Sequence, residues 1–416
     1  MSNGDLLRKE KNRTLAASAV YLFVLALAAS LIHAPPVVGA PMKLRTGLTI
    51  HNPSHSPSKA YPGYTLYCVQ GLDRAFVLNM EGRVVHEWRI PGLSPVVKPL
   101  SNGHIAAFVA NGDCTENWCQ SSLREYDWEG NMVWEYAPPQ GISAFTHDFQ
   151  YLPNGHILLL ASKWRTIPQI GRPIKDNVIL EVNRKRQVVW KWSTLDHYDQ
   201  LGLSKKAKEI ISHKRLKPSD VFHSNSINSL PPNQYEVTDS RFKAGNILVS
   251  QRNSNIVFII DRASGDIVWK MQDTIGQHHA SMIPKPLSGA GNILLFDNGG
   301  HGGYPIRYRL NSQVLEMNPV TKETAWRYKA ADNNRHGETF FSTARGSVQR
   351  LPNNNTLIVE SVFGRIFEMT PEKKVVWEYV NPHYRIDQDN HYTNQIYRAY
   401  RLDFDWVDGS IDPFPW

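Results

Sequence analysis

Cysteine is nearly absent: Cys68, Cys114 and Cys119 are the only three in 416 residues. No CxxC pair occurs, nor any Cys/His set at zinc spacing, so a cysteine-built metal or redox centre is excluded. Long basic runs are missing as well. Lys and Arg number 46 against 38 Asp and Glu, a net +8, yet past the N-terminus the densest stretch is Asn183-Arg184-Lys185-Arg186. Nucleic-acid binders gather such an excess into patches, so no nucleic-acid partner is expected. The charge suits an anionic substrate or an acidic membrane surface instead. Helical periodicity is confined to about residues 204–214. No Gly-x-Ser-x-Gly elbow and no Walker-type phosphate loop is present, which argues against a serine nucleophile and against nucleotide-dependent transfer. Glycine (27) and proline (26) follow no period, and 41% hydrophobic with 20% charged residues excludes disorder as the main state.

A single long apolar run stands out, from about Leu15 to Ile32, behind Arg8, Lys9, Lys11 and Arg13 and ahead of Pro35-Pro36. It is roughly long enough to cross a bilayer core, so it reads as an export signal or a signal-anchor helix. Val38-Gly39-Ala40 offers a cleavage site, but the length favours an uncleaved anchor. The charges before it keep that end cytoplasmic and place the rest on the extracytoplasmic (periplasmic) side, secreted or periplasmic if the signal is cleaved. The expected organisation is a basic segment at 1–13, a membrane helix at 14–34, a linker at 35–60, a catalytic domain at 61–405 and a tail at 406–416. In an oxidising space Cys114 and Cys119 are expected to form a local disulfide, and Cys68, in an apolar strand-like run, a buried inert thiol.

What the chain does have is tryptophan, 12 residues, and it recurs. A polar turn, an apolar pair and Trp appear six times, ending at Trp88, Trp134, Trp190, Trp269, Trp326 and Trp377. Most copies follow a Leu-Pro-Asn-Gly type turn and an apolar strand, as in Leu152-Pro153-Asn154-Gly155-His156-Ile157-Leu158-Leu159-Leu160. Four short antiparallel strands per repeat, at a period near fifty, specify a β-propeller blade. The expected fold is an all-β, six-bladed β-propeller behind an N-terminal transmembrane helix. The first repeat lacks its opening strand, and Ile396-Tyr397-Arg398-Ala399-Tyr400-Arg401-Leu402 can supply it and close the ring. The repeated tryptophans serve packing between blades.

Opening strands line a propeller's channel, and those of blades three, four and five carry His147, His223 and His278 near their starts. His147 and His278 lie five residues ahead of their turns and His223 seven, an offset that preserves side-chain parity. Arg252 falls at the top of the returning strand of blade four. Any one of these histidines alone reads best as a surface or turn residue; three in register on consecutive blades read as a site. The loop Asp297-Asn298-Gly299-Gly300-His301-Gly302-Gly303 reads either as a flexible functional loop or as a plain turn. Three imidazoles and an arginine with no carboxylate cluster suit an oxyanion. A His₃ zinc hydrolase is the main competitor, and a non-catalytic, membrane-anchored binding propeller is a third reading. Asp261-Arg262-Ala263-Ser264-Gly265-Asp266-Ile267-Val268-Trp269 looks like a quinoprotein repeat, but six repeats are too few for those larger propellers.

The strand starts His147-Asp148, His223-Ser224-Asn225-Ser226 with Ser250-Gln251-Arg252, and Gln277-His278, together with the closing Arg398-Ala399-Tyr400-Arg401, resemble the bacterial arylsulfate sulfotransferases over about residues 60–405. The resemblance implies transfer of a sulfuryl group from a phenolic sulfate donor to a phenolic acceptor without a nucleotide donor, metal or organic cofactor. It implies that His278 is the transiently sulfated nucleophile, that His147, His223 and Arg252 are catalytic, and that Asn225 binds substrate. His279 follows His278 directly, so it joins the substrate-binding set and shares the question of which imidazole attacks. The stretch ahead of blade one is too short for the extra N-terminal β-domain of better known members, which leaves the oligomeric state open. No Cys-x-Pro-x-Arg occurs from which a classical sulfatase makes formylglycine.

Overall fold

A computed structural model describes residues 47–48, 57–111, 121–213, 219–333, 339–387 and 390–407. The expected membrane helix at 14–34 and the Cys114–Cys119 disulfide lie outside the described residues, and among those described no helix is long and apolar enough to cross a membrane.

Six four-stranded antiparallel sheets follow one another around the chain. Blade two runs Leu93–Pro99, Ile105–Ala110, Ser121–Tyr126, Met132–Tyr136, and blade three Ala144–Tyr151, Ile157–Arg165, Ile174–Val182, Val188–Ser193. Blades four and five open with Ser224–Ser229 and His278–Met282, and blade six with Ser347–Arg350. Blade one takes its innermost strand from the far end of the chain: Ile396–Leu402 pairs with Tyr64–Val69, Tyr64 opposite Leu402 and Leu66 opposite Tyr400. The ring therefore closes as the sequence predicts. A short pairing of Gly47 and Leu48 with Val380 and Tyr379 adds a fifth strand to blade six, inside the stretch expected to be linker. Trp406 is buried and donates its indole N–H to Leu100 O, so the packed domain runs slightly past residue 405. The expected helix is there as Lys205–Ser212, with the Ser204 hydroxyl accepting from the Ala207 N–H at 3.1 Å as its N-cap.

Each blade has two apolar faces, and six hydrophobic clusters fill the six interfaces between neighbours. Leu158, Leu160 and Trp192 of blade three meet Ile247, Val249 and Phe258 of blade four, for example. The tryptophans latch these interfaces. Trp269, Trp326 and Trp377 donate indole N–H groups to carbonyls of Pro319, Pro371 and Met80 on the next blade, at 2.8–2.9 Å. Trp134 and Trp190 instead sit beneath Arg184 and Arg262 of the next blade. In blade one the pairing register puts His86, not Trp88, at the repeat position, with Val77 as its partner. Trp88 stands two residues on, where blade three carries Trp192, and both make the same kind of latch, to Asp127 O and Gly265 O.

Candidate active site

The inner strands of blades three, four and five are not regular. The pairing of Ala144–Tyr151 with its neighbour slips between Leu159 and Ala161, that of Ser224–Ser229 between Ser224 and Ser226, and that of His278–Met282 between His278 and Ser281. His147 and His279 at two of these bulges, and His223 just ahead of the third, hold left-handed backbone angles, φ 59°, 51° and 55°. Such conformations cost non-glycine residues roughly 1–3 kcal/mol each and gather where a fold re-aims side chains for function.

The bulges bring the predicted residues together. The rings of His147 and His223 meet edge to face, centroids 4.4 Å apart. His223 Nδ1 lies 2.7 Å from Asp220 Oδ2, and its backbone N–H donates to Asp220 Oδ1 at 3.0 Å, so the carboxylate fixes ring and loop together. Burial pushes the Asp220 carboxyl up, but His223 outweighs it and holds the group below its ordinary value, hence ionised. His147 is held well below the usual histidine value by burial first and then by His223, His278, Arg398 and Arg345, so its ring is neutral.

His278, 3% exposed, is the most constrained of the three. Its Nδ1 donates to Asn298 Oδ1 at 2.7 Å and also lies 3.1 Å from Gly276 O. The Asn298 amide is oriented by its own donations to Ser342 O at 2.8 Å and Arg345 O at 2.6 Å. Nε2 consequently carries the lone pair, which accepts from the Arg345 N–H at a long 3.2 Å. Burial, then Arg252, His223 and Arg345, keep the ring well below the usual histidine value, with the Asn298 bond pulling the other way. It is a neutral imidazole with a defined nucleophilic nitrogen.

Two guanidinium groups face it. Arg252 bonds to Asn253 Oδ1 at 2.9 Å and approaches His301 Nε2 at 3.3 Å, while its Nε is buried with no partner among the described residues. Arg345 bonds to Gln395 Oε1 at 2.9 Å. Among the described residues neither forms a salt bridge, and each lowers the proton affinity of the other or of the histidines between them. Two cations without a salt bridge in a partly desolvated channel end favour a bound anion between them. Arg345, Asn298 and Asp220 were not singled out as site residues from the sequence.

Asn225 is fully buried in this end of the channel, but its Nδ2 donates to Gln277 O at 2.7 Å. That bond takes one of the amide's two N–H groups, and its Oδ1 is a buried acceptor without a partner among the described residues. His279, one residue past His278, turns the other way. Its Nδ1 accepts from the Val348 N–H at 3.2 Å, and the charges it feels are those of Arg398, Asp148 and Lys98. The glycine-rich loop is packed rather than open: a Cβ on Gly302 would lie 2.1 Å from Asn255 Oδ1. That packing delivers Asn298 and His301 to the site. Among the described residues no group of three or more His, Cys, Asp and Glu is arranged to hold a metal ion.

A profile of the arylsulfotransferase (ASST) family matches residues 97–382, which spans five of the six blades and every histidine of the cluster. No curated protein matches. Among solved structures, a protein of unknown function from Bacteroides caccae superposes with a TM-score of 0.51 at 16% identity, covering 82% of this chain and 98% of its own. Streptogramin B lyase superposes at 0.42 with 12% identity over 86% of this chain and 93% of its own. The first of these likenesses speaks to the fold alone.

Proposed function

The chain belongs to the arylsulfotransferase family, and we propose that it moves a sulfuryl group from a phenolic sulfate ester to a phenolic acceptor through a sulfohistidine at His278. The observation that carries this reading is a neutral, tautomer-fixed imidazole facing two guanidinium groups that form no salt bridge among the described residues.

Nε2 of His278 attacks sulfur in line; the S–O bond to the aryl group breaks and its electron pair leaves on the phenolate. The Arg345 N–H, released from Nε2, is left facing the transferred group and turns to a sulfuryl oxygen, beside the guanidinium groups of Arg252 and Arg345. Fixed donors of this kind are typically worth roughly 2.7–4 kcal/mol each. The sulfated ring is cationic with its proton on Nδ1, and Asn298 Oδ1 accepts that proton's hydrogen bond throughout. His223, steered by Asp220, gives a proton to the departing phenolate and takes one from the incoming phenol as that oxygen attacks sulfur and the S–N bond returns its pair to Nε2. Neutral His147 packs against the His223 ring and keeps it in place. The orphan Oδ1 of Asn225 suits the acceptor's O–H. On this reading the apolar run at 14–34 anchors the propeller on the extracytoplasmic side.

The test uses para-nitrophenyl sulfate with and without excess phenol and with EDTA. Nitrophenolate release that requires phenol and survives EDTA is expected, together with a gain of one SO₃ in the His278 peptide after donor alone. His278→Ala should abolish both while leaving the circular-dichroism spectrum unchanged. Normal transfer in that variant, or release that EDTA stops, refutes the mechanism.

A further inference from the structure

The inner strands run from the histidine cluster to the opposite end of the channel, and a second chamber opens there. It has a volume of about 610 Å³ and takes wall residues from all six blades, but none of His147, His223, His278 or Arg252 lines it. Between the two ends lies a buried charge layer. Asp148, 1% exposed, accepts from Arg398 Nη1 at 2.6 Å and from Lys98 Nζ at 2.8 Å, and Arg398 reaches on to Asn225 O at 2.9 Å. The channel is therefore two compartments with an ion-paired floor in common.

The walls of the second chamber are mixed: Tyr151, Tyr400, Met282 and Leu294 give them apolar and aromatic surface, set among polar and charged side chains. Its size falls in the range of small-molecule pockets, which pair apolar surface with fixed polar groups. The polar groups are unequally balanced. Arg184 is matched by Glu125 and Arg350 by Glu316. At the floor, one carboxylate serves two cations, Lys98 and Arg398, which leaves a net positive charge. Beside it His279 accepts at Nδ1 from Val348, so the neutral ring presents Nε2–H as a donor.

We propose that this chamber is a second small-molecule site, distinct from the transfer site, that takes an organic anion with an aromatic or extended apolar body, its anionic head against Lys98 and His279. The proposal does not depend on the sulfotransferase reading. Since Lys98 shares Asp148 with Arg398, and Arg398 holds the Asn225 carbonyl, the head group contacts a network that reaches the other compartment.

The experiment uses the whole chain and anilinonaphthalene sulfonate as probe. Fluorescence titration should show one saturable site, at least about tenfold weaker for the uncharged anilinonaphthalene, a difference of roughly 1.4 kcal/mol. A photoreactive azidonaphthalene sulfonate should label wild-type chain in the peptides of Met282, Tyr400 or Tyr151. Ser281→Phe and Asn228→Phe, on different blades and both lining the chamber, should each abolish binding while transfer persists; thermal melts establish that they fold. Label confined to peptides carrying His223, Arg252 or Arg345, equal affinity for the uncharged probe, or no saturable binding overturns the proposal, and the labelling result stands even if neither variant folds.

Discussion

Replacing Asn298 separates the positioning of the nucleophile from the binding of its substrate. In the Nδ1–H tautomer His278 makes two complementary bonds, to Asn298 Oδ1 at 2.7 Å and from the Arg345 N–H at 3.2 Å. In the other tautomer a lone pair faces Oδ1 and an N–H faces an N–H. Each such loss at a buried group costs roughly 1–3 kcal/mol, which keeps the wrong tautomer a small minority. Asn298→Ala removes the stronger of the two bonds and leaves Nδ1 only Gly276 O at 3.1 Å. The expected result is a fall in kcat of about 10- to 100-fold, or roughly 1.4–2.7 kcal/mol, with KM for the aryl sulfate changed less than about threefold, because Asn298 touches the ring and not the substrate. Asn298→Asp probes the same atom differently. An acceptor remains, so the tautomer survives, but the added negative charge raises the proton affinity of His278. The nucleophile then becomes protonated at a pH where the wild-type ring is neutral, and the acid limb of the kcat/KM profile moves to higher pH. Initial rates from pH 5 to pH 9, with melting curves for both variants, decide it. Unchanged kcat in the alanine variant, a loss confined to KM, or an acid limb in the aspartate variant that stays put refutes the assignment.

Arg252→Gln and Arg345→Gln should each lower kcat/KM about 10²- to 10³-fold, and since both guanidinium groups depress His278, both variants should also move the acid limb upward in a rate–pH profile. Asp148 gives a stability prediction: burial pushes its carboxyl up, but Arg398 and Lys98 hold it at about 2. A carboxylate lowered from its unfolded value contributes stability above pH 4 and loses it as pH falls toward 2, a change of about 2 kcal/mol in urea melts. Asp148→Asn should show no such loss, from a baseline roughly 3–5 kcal/mol lower because two buried cations lose their partner. Trp269→Phe deletes a buried indole N–H bond of 2.8 Å to Pro319 O and should cost about 1–2 kcal/mol in the same melts, without changing kcat.

The architecture was legible because its signals are periodic. Six tryptophan turns, apolar strands of fixed length and a spare terminal strand each state a blade, and the structure has them all. Even there, alignment by residue type misled at one place: Trp88 looks like the repeat tryptophan, whereas the register gives that position to His86. Only hydrogen-bond pairing distinguishes an aromatic two residues on from one in line.

The site was legible in part, for a different reason. Counting residues back from each turn assumes a regular strand, in which parity decides the face. The three inner strands bulge at or just past the histidines, so parity fails where it was applied, and His147 and His223 meet where their backbones turn left-handed. The same irregularity separates His278 from His279: with a bulge between them they enter different compartments, a distinction that two identical adjacent letters cannot carry. Asn298 and Arg345 were missed because each acts from a loop on a partner in another stretch of chain, and Asp220, three residues ahead of its partner His223, because no residue pattern marks the turn that joins them. Arg345, for instance, lies 67 residues from the imidazole whose Nε2 it caps. Arg345 is also where strain, charge and contact coincide. Its φ of 61° aims a backbone N–H at the nucleophile while its side chain stays in the same end of the channel. A residue that supplies both an amide and a guanidinium to one anion cannot be read from the guanidinium alone. Arg345→Gln therefore removes only half of its contribution, and a substitution that also frees the backbone, Arg345→Gly, should cost kcat more than Arg345→Gln does if the amide takes a sulfuryl oxygen as proposed. Equal rates in the two variants would assign the whole effect to the side chain.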